Sequence, residues 1–559
     1  MRSVAFHGCA GWLYDGSSRR GVVICPPLGL EELCGRRTLH LLAGRLQAGG
    51  VATLRFDYRG EGDSVGDAND PDCVARWRDD VTAAIECLRS LAGVEEVALV
   101  GMRFGALLAA DIAAGREDIS RLALIAPVAT GKIWLRETRI LSRMIQTEGP
   151  RDAASDRDDL GLAGFTLTDE TCAAIGGMDA TALARAPAPS ILLIEPATGR
   201  AAARLTTHFQ SLGAEVETRE FIDYEMMMCD PALSTPAVAM VEPIAAWVSQ
   251  GASAAGARIA AAARPEAQIV GDHWRERSVS FGRHPLRGVY CEPAAGPVRR
   301  TALLSGPGNN HHIGWGRSHV ELARTLAGAG VASLRFDYAG IGESGGDIHD
   351  IYDDRRIEHI EAAIAWLRAG GATDVALVGV CSGAYHSLRA AARDPAILRL
   401  ALLNQQRYAI DLHHKLSWLS YRLQARVAFA LDAKEGASGF RARLLALALA
   451  MIPKVRRMGS LARSLVRRLK NPSRDDEPTR GNAVEQTFSA LSKRGAQVLI
   501  VHSPDDPAVV ELERFMGPGG ERATALPGLR KVVLEDADHL LSSRAARKLY
   551  AAELIRFLT

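Results

Sequence analysis

A cysteine stands at the centre of Gly379-Val380-Cys381-Ser382-Gly383, after the apolar run VALVG and before a stretch with helical composition. Very small residues two positions to either side let a strand turn sharply into a helix, with the central side chain at the tip. That arrangement suits nucleophilic catalysis: a thiol held outward, with helix N-terminal N–H groups beside it to receive an anionic intermediate. Ser382 is the alternative nucleophile, but it would need Val380 and Ala384 as its small neighbours, and valine fits poorly there. The plainer reading is that Cys381 only tolerates a tight turn. A nucleophile of this kind needs an acid and a general base further along the chain. QVLIVHSPDDP, from Gln497, ends in Asp505 and Asp506, and spacing favours Asp506 with Asp505 as the alternative acid. An Asp-Asp-Pro turn is also an ordinary solvated loop. KVVLEDADHLLSS, from Lys531, places His539 just ahead of a closing amphipathic helix. Taken singly each signal is weak, but they arrive in the order nucleophile, acid, histidine.

The elements that must position these groups occur twice. LRFDYRGEGDSVGD at 54–67 is matched by LRFDYAGIGESGGD at 334–347, and VALVGMRFGALLAA from Val97 by VALVGVCSGAYHSL from Val375. Each copy has the same order of apolar strand, Ala/Leu/Gly-rich helix, motif, helix, strand and glycine-framed turn, which identifies a duplication. Short apolar runs alternating with helical patterns imply a parallel sheet buried on both faces. The Ala/Gly/Pro-rich stretch 251–271 reads as a linker, giving domains at 1–250 and 272–559.

Bulk properties agree with two soluble domains. The 559 residues exceed one ordinary core, and 47% apolar with 24% charged residues is typical of globular proteins. A net charge of +2 argues against a dedicated nucleic-acid binder. Met1–Arg20 lacks the apolar core of a secretory signal, and the longest apolar run, Leu444–Ile452, is too short to span a bilayer. Nine cysteines without CxxC pairs point to free thiols in a reducing cytoplasm.

The whole chain resembles the α/β-hydrolase superfamily, in its serine-aminopeptidase-like and dienelactone-hydrolase-like group. The second half is similar to the exosortase-system-associated hydrolase 1 type, which has a Gly-x-Cys elbow and an LRFDYxGxGxS segment. The first half is similar to the companion hydrolase 2 type, which carries arginine at the elbow. The resemblance implies two tandem α/β-hydrolase folds, each a mostly parallel sheet flanked by helices, with a helical cap at about 404–482 in the second. It implies a Cys381–Asp506–His539 triad acting through an acyl-enzyme on an ester or thioester. The alternative is an acyltransferase serving polysaccharide or secondary-metabolite biosynthesis; a non-catalytic binding or scaffold protein is the reading of another class. The oxyanion would lie between the Ser382 N–H and one from the loop SGPGNNHH. Pro307 has no N–H, which leaves Gly308 or Asn309. His311, His312 and Trp315 follow as candidate substrate contacts, though a partly exposed loop is the plainer reading for the histidines. Neither a cofactor nor a metal is expected.

In the first half the elbow tip is Arg103, and alignment sets Gly199 against Asp506 and Met226 against His539. All three roles are vacant, so this half is expected to be a structural or regulatory partner in an intramolecular pseudo-dimer, with homo-oligomers an open alternative. Arg103 could instead bind a carboxylate or phosphate. The cap region is amphipathic and strongly basic, from Arg422 through Lys470. It suits three roles: a solvated cover over the site, a dock for an acidic acyl carrier protein, or a peripheral contact with an anionic membrane surface. The substrate is then a small-molecule or carrier-bound acyl group.

Overall fold

The computed structural model describes residues 1–145, 164–231, 234–252, 267–410 and 478–559. Two sheets of mostly parallel strands stand in tandem. In the first half the chain runs β1 (Arg2–Phe6), β2 (Cys9–Tyr14), β3 (Arg20–Cys25), α1 (Gly29–Ala48), β4 (Ala52–Phe56), α2 (Cys73–Ala92), β5 (Glu96–Met102), α3 (Phe104–Ala114) and β6 (Ile119–Ile125). It continues through α4 (Gly131–Ile145), α5 (Asp169–Gly176), β7 (Ser190–Glu195), α6 (Ala202–Ser211), β8 (Glu215–Glu220), α7 (Tyr224–Met227) and α8 (Val241–Ser249). The second half runs β9 (Gln268–Val270), β10 (Trp274–Phe281), β11 (Leu286–Pro293), β12 (Arg300–Ser305), α9 (Ser318–Gly328), β13 (Val331–Phe336), α10 (Arg355–Ala369), β14 (Val375–Val380), α11 (Ser382–Arg393) and β15 (Arg399–Leu403). After the undescribed segment come α12 (Pro478–Lys493), β16 (Gln497–His502), α13 (Pro507–Met516), α14 (Glu521–Thr524), β17 (Leu529–Val533) and α15 (Arg544–Leu558).

The first sheet has the order β1-β2-β4-β3-β5-β6-β7-β8; the second repeats it as β10-β11-β13-β12-β14-β15-β16-β17, with β9 added at the edge. In each sheet an antiparallel pair at one edge leads into parallel strands, as β12 pairs with β13 and β14 in parallel register. The central strands β3, β5, β12 and β14 carry continuous apolar runs, buried or nearly so along their length. Helices therefore cover both faces of each sheet. β9 falls inside the stretch expected as linker and pairs antiparallel with β10; of that stretch, 253–266 lie outside the described residues. Most of the expected cap, 411–477 with its basic run, also lies outside them. Among the described residues no helix is long and apolar enough to cross a membrane.

The repeated LRFDY segment explains how the halves meet. Asp337 Oδ2 accepts the Glu343 N–H at 2.8 Å, and Ser344 Oγ donates to the Asp337 carbonyl at 2.7 Å. Asp57 and Ser64 staple the first copy in the same way, at 2.9 and 2.6 Å. The stapled loop then offers one acid to the opposite half. Arg55, on β4, donates twice to Glu343 at 2.8 and 3.0 Å, and Arg335, at the matching place on β13, donates to Asp63 at 2.9 Å. Arg37 reaches the carbonyl of Ser344 at 2.7 Å, and its counterpart Arg317 reaches those of Gly62 and Gly66, also at 2.7 Å. Apart from the Gly66 contact, each has its mirror at one constant sequence offset, as in an isologous dimer interface, here within one chain.

Two further cations complete the lock. Arg36 bridges Asp57 of its own half and Glu343 of the other, at 2.9 and 3.0 Å. His312 plays that part on the opposite side, 2.7 Å from Asp63 and 3.0 Å from Asp337. Burial alone would push the His312 imidazole down, but Asp337 and Asp63 outweigh it and raise it to about 10.

Removing one partner of a buried ion pair strands the other charge, so Glu343→Ala should lower unfolding free energy by about 3–5 kcal/mol in a denaturant titration. A loss below 1 kcal/mol would mean that the network is not holding the halves together. The raised His312 contributes stability that is fully present below its ordinary pKa of 6.5 and is lost as pH rises through about 10. The melting temperature should therefore fall across that window, and fall less in His312→Arg, which keeps its charge.

Candidate active site

β14 ends at Val380 and α11 begins at Ser382, so Cys381 alone makes the turn, at φ 53° and ψ −115°. Positive φ in a non-glycine residue is strained, and the close packing around the turn enforces it. A Cβ on Gly379 would meet the backbone of Ala384 at 2.5 Å, and one on Gly383 the Ser305 carbonyl oxygen at 2.3 Å. The glycine frame is thus centred on Cys381. That residue is half-buried, whereas Ser382 is 1% exposed and its Oγ accepts the Gly308 N–H at 2.8 Å. Ser382 therefore pins the oxyanion loop to the elbow, a role distinct from the alternative nucleophile considered above.

The acid and base arrive from the next two strand ends. Asp506 follows β16 and caps α13 by accepting the Ala508 N–H at 2.8 Å through Oδ1; its Oδ2 lies 2.6 Å from His539 Nδ1. Asp505 is exposed, and the acid that reaches the histidine is Asp506. His539 follows β17, close enough to Cys381 for the two to be electrostatically coupled. Burial lowers the imidazole, but the charge Cys381 can carry and the Asp506 carboxylate together raise it to about 10. A ring held between an acid and a thiol in this way can exchange a proton with sulfur.

Sequence reasoning missed Asn404, which it read as the start of the cap. At φ 47° beyond β15, its amide donates to Ser503 Oγ at 2.9 Å and to the His539 carbonyl at 2.8 Å, while its Oδ1 accepts the Ser503 N–H at 2.8 Å. It ties the acid loop to the histidine loop. Gln406 Nε2 also lies 3.3 Å from His539 Nδ1. A polar residue directly after an apolar parallel strand was the available signal, since sites in such sheets gather at carboxyl ends.

The oxyanion loop differs from expectation in its contacts. The Gly308 N–H, one of the two backbone donors expected there, already has its acceptor in Ser382 Oγ. Arg356 braces this loop, donating to the Gly308 carbonyl at 2.6 Å and to Asn309 Oδ1 at 2.7 Å. His311 and His312, expected as substrate contacts, point instead into the first half. Both are buried, His311 with Nε2 3.0 Å from Glu32 and His312 in the bridge described above. Ligand atoms of His311, His312 and Asp337 lie within 4.8 Å of one another. His312 in this cluster is already engaged by two carboxylates, Asp63 and Asp337, at 2.7 and 3.0 Å. Of the three expected substrate contacts, Trp315 is the one that lines a cavity, together with Pro307 of the same loop.

The first half keeps the backbone and not the chemistry. Arg103 has φ 55° and ψ −118°, and Ala126 and Asp223 repeat the positive φ of Asn404 and Asp536. Arg103 Nε donates to Glu31 at 2.8 Å and Nη2 to Glu137 at 2.7 Å, so its charge is already neutralised internally. The anion-binding alternative for Arg103 is thereby answered by the protein's own carboxylates. Gly199 lies past β7 in the turn that the Glu195 side chain closes by accepting the Ala201 and Ala202 N–H groups, and Met226 lies in α7.

Comparison with known proteins agrees with this architecture. A serine aminopeptidase family model matches residues 16–153 and an alpha/beta hydrolase family model matches residues 302–552. The chain is an enzyme of the α/β-hydrolase class, with two such regions in tandem. No curated protein matches it. Among solved structures it is similar to the Pyrococcus furiosus esterase Pf2001, at 14% identity over 53% of this chain and 98% of that one, with a TM-score of 0.34. Proline iminopeptidase of Mycobacterium smegmatis gives 15% identity, 44% and 97% coverage and a TM-score of 0.30. Dienelactone hydrolase of Anabaena variabilis gives 14%, 51% and 97%, and 0.31.

Since Asp506 helps to hold the His539 proton, Asp506→Asn should move the alkaline limb of kcat/KM from near pH 10 toward the ordinary histidine range. An unmoved limb in a pH–rate profile on an activated ester would separate Asp506 from the histidine's function.

Proposed function

We propose that the second half hydrolyses an ester or thioester through an acyl-enzyme on Cys381. The His539–Asp506 hydrogen bond, with Cys381 at the strained elbow electrostatically coupled to the same imidazole, supports this reading. Cys381 gives its proton to His539 and its sulfur attacks the acyl carbonyl; the carbonyl π electrons move to oxygen. Collapse of that intermediate expels the alcohol or thiol, which takes the proton from His539. Water, deprotonated by His539, then attacks the acyl-enzyme, releasing the carboxylic acid and restoring the thiol. The Ser382 N–H, at the start of α11, receives the developing oxyanion in this scheme, with the helix dipole behind it. The likeness to the exosortase-associated hydrolase 1 and 2 types belongs to the same proposal, as does transfer to an acceptor other than water in polysaccharide or secondary-metabolite biosynthesis. The proposed setting is cytoplasmic, with the first half as a structural partner and a carrier protein or membrane surface contacting the basic cap at about 404–482.

Cys381→Ala should abolish acyl-enzyme, read as the mass added to the intact protein by an acyl thioester, and lower kcat by at least about 10^4-fold. Ser382→Ala releases the Gly308 N–H and should cost about 10^2-fold through misplacement of the loop. The reverse ranking would transfer the nucleophile to Ser382. Arg103→Ala should leave turnover nearly unchanged; a loss as large as that of Cys381→Ala would give the first half a direct part in the chemistry.

A further inference from the structure

The lock between the halves departs from symmetry at one place. In the first half the motif carboxylate, Asp57, is met by Arg36 Nη1 at 2.9 Å, and a guanidinium is a permanent cation with no lone pair to give. The equivalent carboxylate in the second half, Asp337, faces His312 Nδ1 at 3.0 Å, without the alignment of a hydrogen bond. An imidazole, unlike a guanidinium, can exchange its proton for a metal ion.

The surroundings are those that prepare imidazoles as ligands. His311 Nε2 lies 3.0 Å from Glu32, and His312 Nε2 lies 2.7 Å from Asp63, both carboxylates of the first half. A carboxylate on one ring nitrogen fixes the tautomer and direction of the ring and makes the other nitrogen a better donor to a metal. In both residues that other nitrogen, Nδ1, is buried and has no aligned hydrogen-bond partner, and both side chains are 2% exposed. Buried polar atoms are rarely left unmet. Asp337 supplies a third donor. Its two oxygens accept the backbone N–H groups of His312 at 2.6 Å and Glu343 at 2.8 Å, and each keeps a lone pair. The ligand atoms of the three residues lie within 4.8 Å of one another. Two donors each about 2.1 Å from one zinc ion are at most about 4.2 Å apart, so a shift of about 0.6 Å completes the fit.

We propose that His311, His312 and Asp337 bind a zinc ion at the seam between the halves, with Glu32 and Asp63 as the outer carboxylates that aim the two imidazoles. Two imidazoles and one carboxylate suit zinc, whereas magnesium and calcium take oxygen ligands. The fourth position of the tetrahedron falls to water. On binding, His312 gives its proton to solvent, and the dication takes over as the counter-charge of Asp337. The second half supplies the ligands and the first half orients them, so the site is complete only when the two are docked. It also stands in the loop that Ser382 pins at Gly308.

The test uses the full-length Cys381→Ala chain, in which zinc cannot be held by the catalytic thiol. Produced with zinc in the medium and dialysed against metal-free buffer, it should retain about one zinc per chain by elemental analysis. After removal of zinc with EDTA, cobalt(II) should give the visible d–d bands of a four-coordinate site, with no sulfur-to-metal charge transfer. Competition with a chromophoric chelator then ranks the variants made in this background. His311→Gln removes a ligand and should weaken zinc binding by at least about 100-fold, and Glu32→Gln, which alters only an outer partner, by about 10- to 100-fold. Should His311→Gln fail to fold, Glu32→Gln decides alone. A parent chain that retains no zinc, a sulfur charge-transfer band, or an unchanged affinity in either folded variant overturns the site.

Discussion

Two buried carboxylates, Asp63 and Glu343, have their cations in the opposite half of the chain, and the rest of the molecule is arranged around that requirement. A charge withdrawn from water is tolerated only when it is closely paired and hydrogen-bonded. Glu343 meets this condition through Arg36 and Arg55, and Asp63 through Arg335 and His312. The arginines on β4 and β13 stand on central strands, so the pairing fixes one sheet against the other as well as one loop against another. It also carries the 307–317 loop, which holds His312 at its middle and Trp315 near its end, between the halves and beside the elbow.

The two elbows separate folding from chemistry. Backbone strain at the tip, the glycine frame and the positive φ after the next strand are present in both halves. These follow from how a parallel strand feeds a helix packed tightly on its own sheet, and they need no nucleophile. What differs is the side chain at each of three strand ends. In the second half Cys381, Asp506 and His539 converge with Asn404 tying two of their loops together. In the first half Ala126 stands where Asn404 does, and Arg103 is clamped between Glu31 and Glu137.

Much of this was legible in the sequence, because the informative patterns are local. The duplicated motif, the apolar strands and the glycine-framed turn each occupy a few consecutive residues, and chain order then ranks the acid and the histidine. What the sequence could not resolve depends on contacts between distant segments. Arg55 could pair with the acid of its own loop or of the other copy, and a repeat looks the same in both cases. His311 and His312 were read as loop groups near the substrate, because nothing local signals that Glu32 and Asp63 lie across from them. Nothing local in the sequence separates Asn404 from the insertion that follows it, although its side chain is the brace between two loops a hundred residues downstream and beyond. Gly308 was one of two equal oxyanion candidates until the Ser382 hydroxyl was placed against its N–H.

The mirror symmetry of the lock has a consequence for how the duplicate persists. A copy without a nucleophile would ordinarily be free to decay, yet here its Arg36, Arg55 and His40 are the groups paired with Glu343 among the described residues. Any loss of the first half leaves a bare buried acid in the second, so natural selection acting on the working copy also preserves the idle one. The arrangement behaves as a ratchet: once the halves had exchanged their counter-charges, neither could be discarded without dissolving the other.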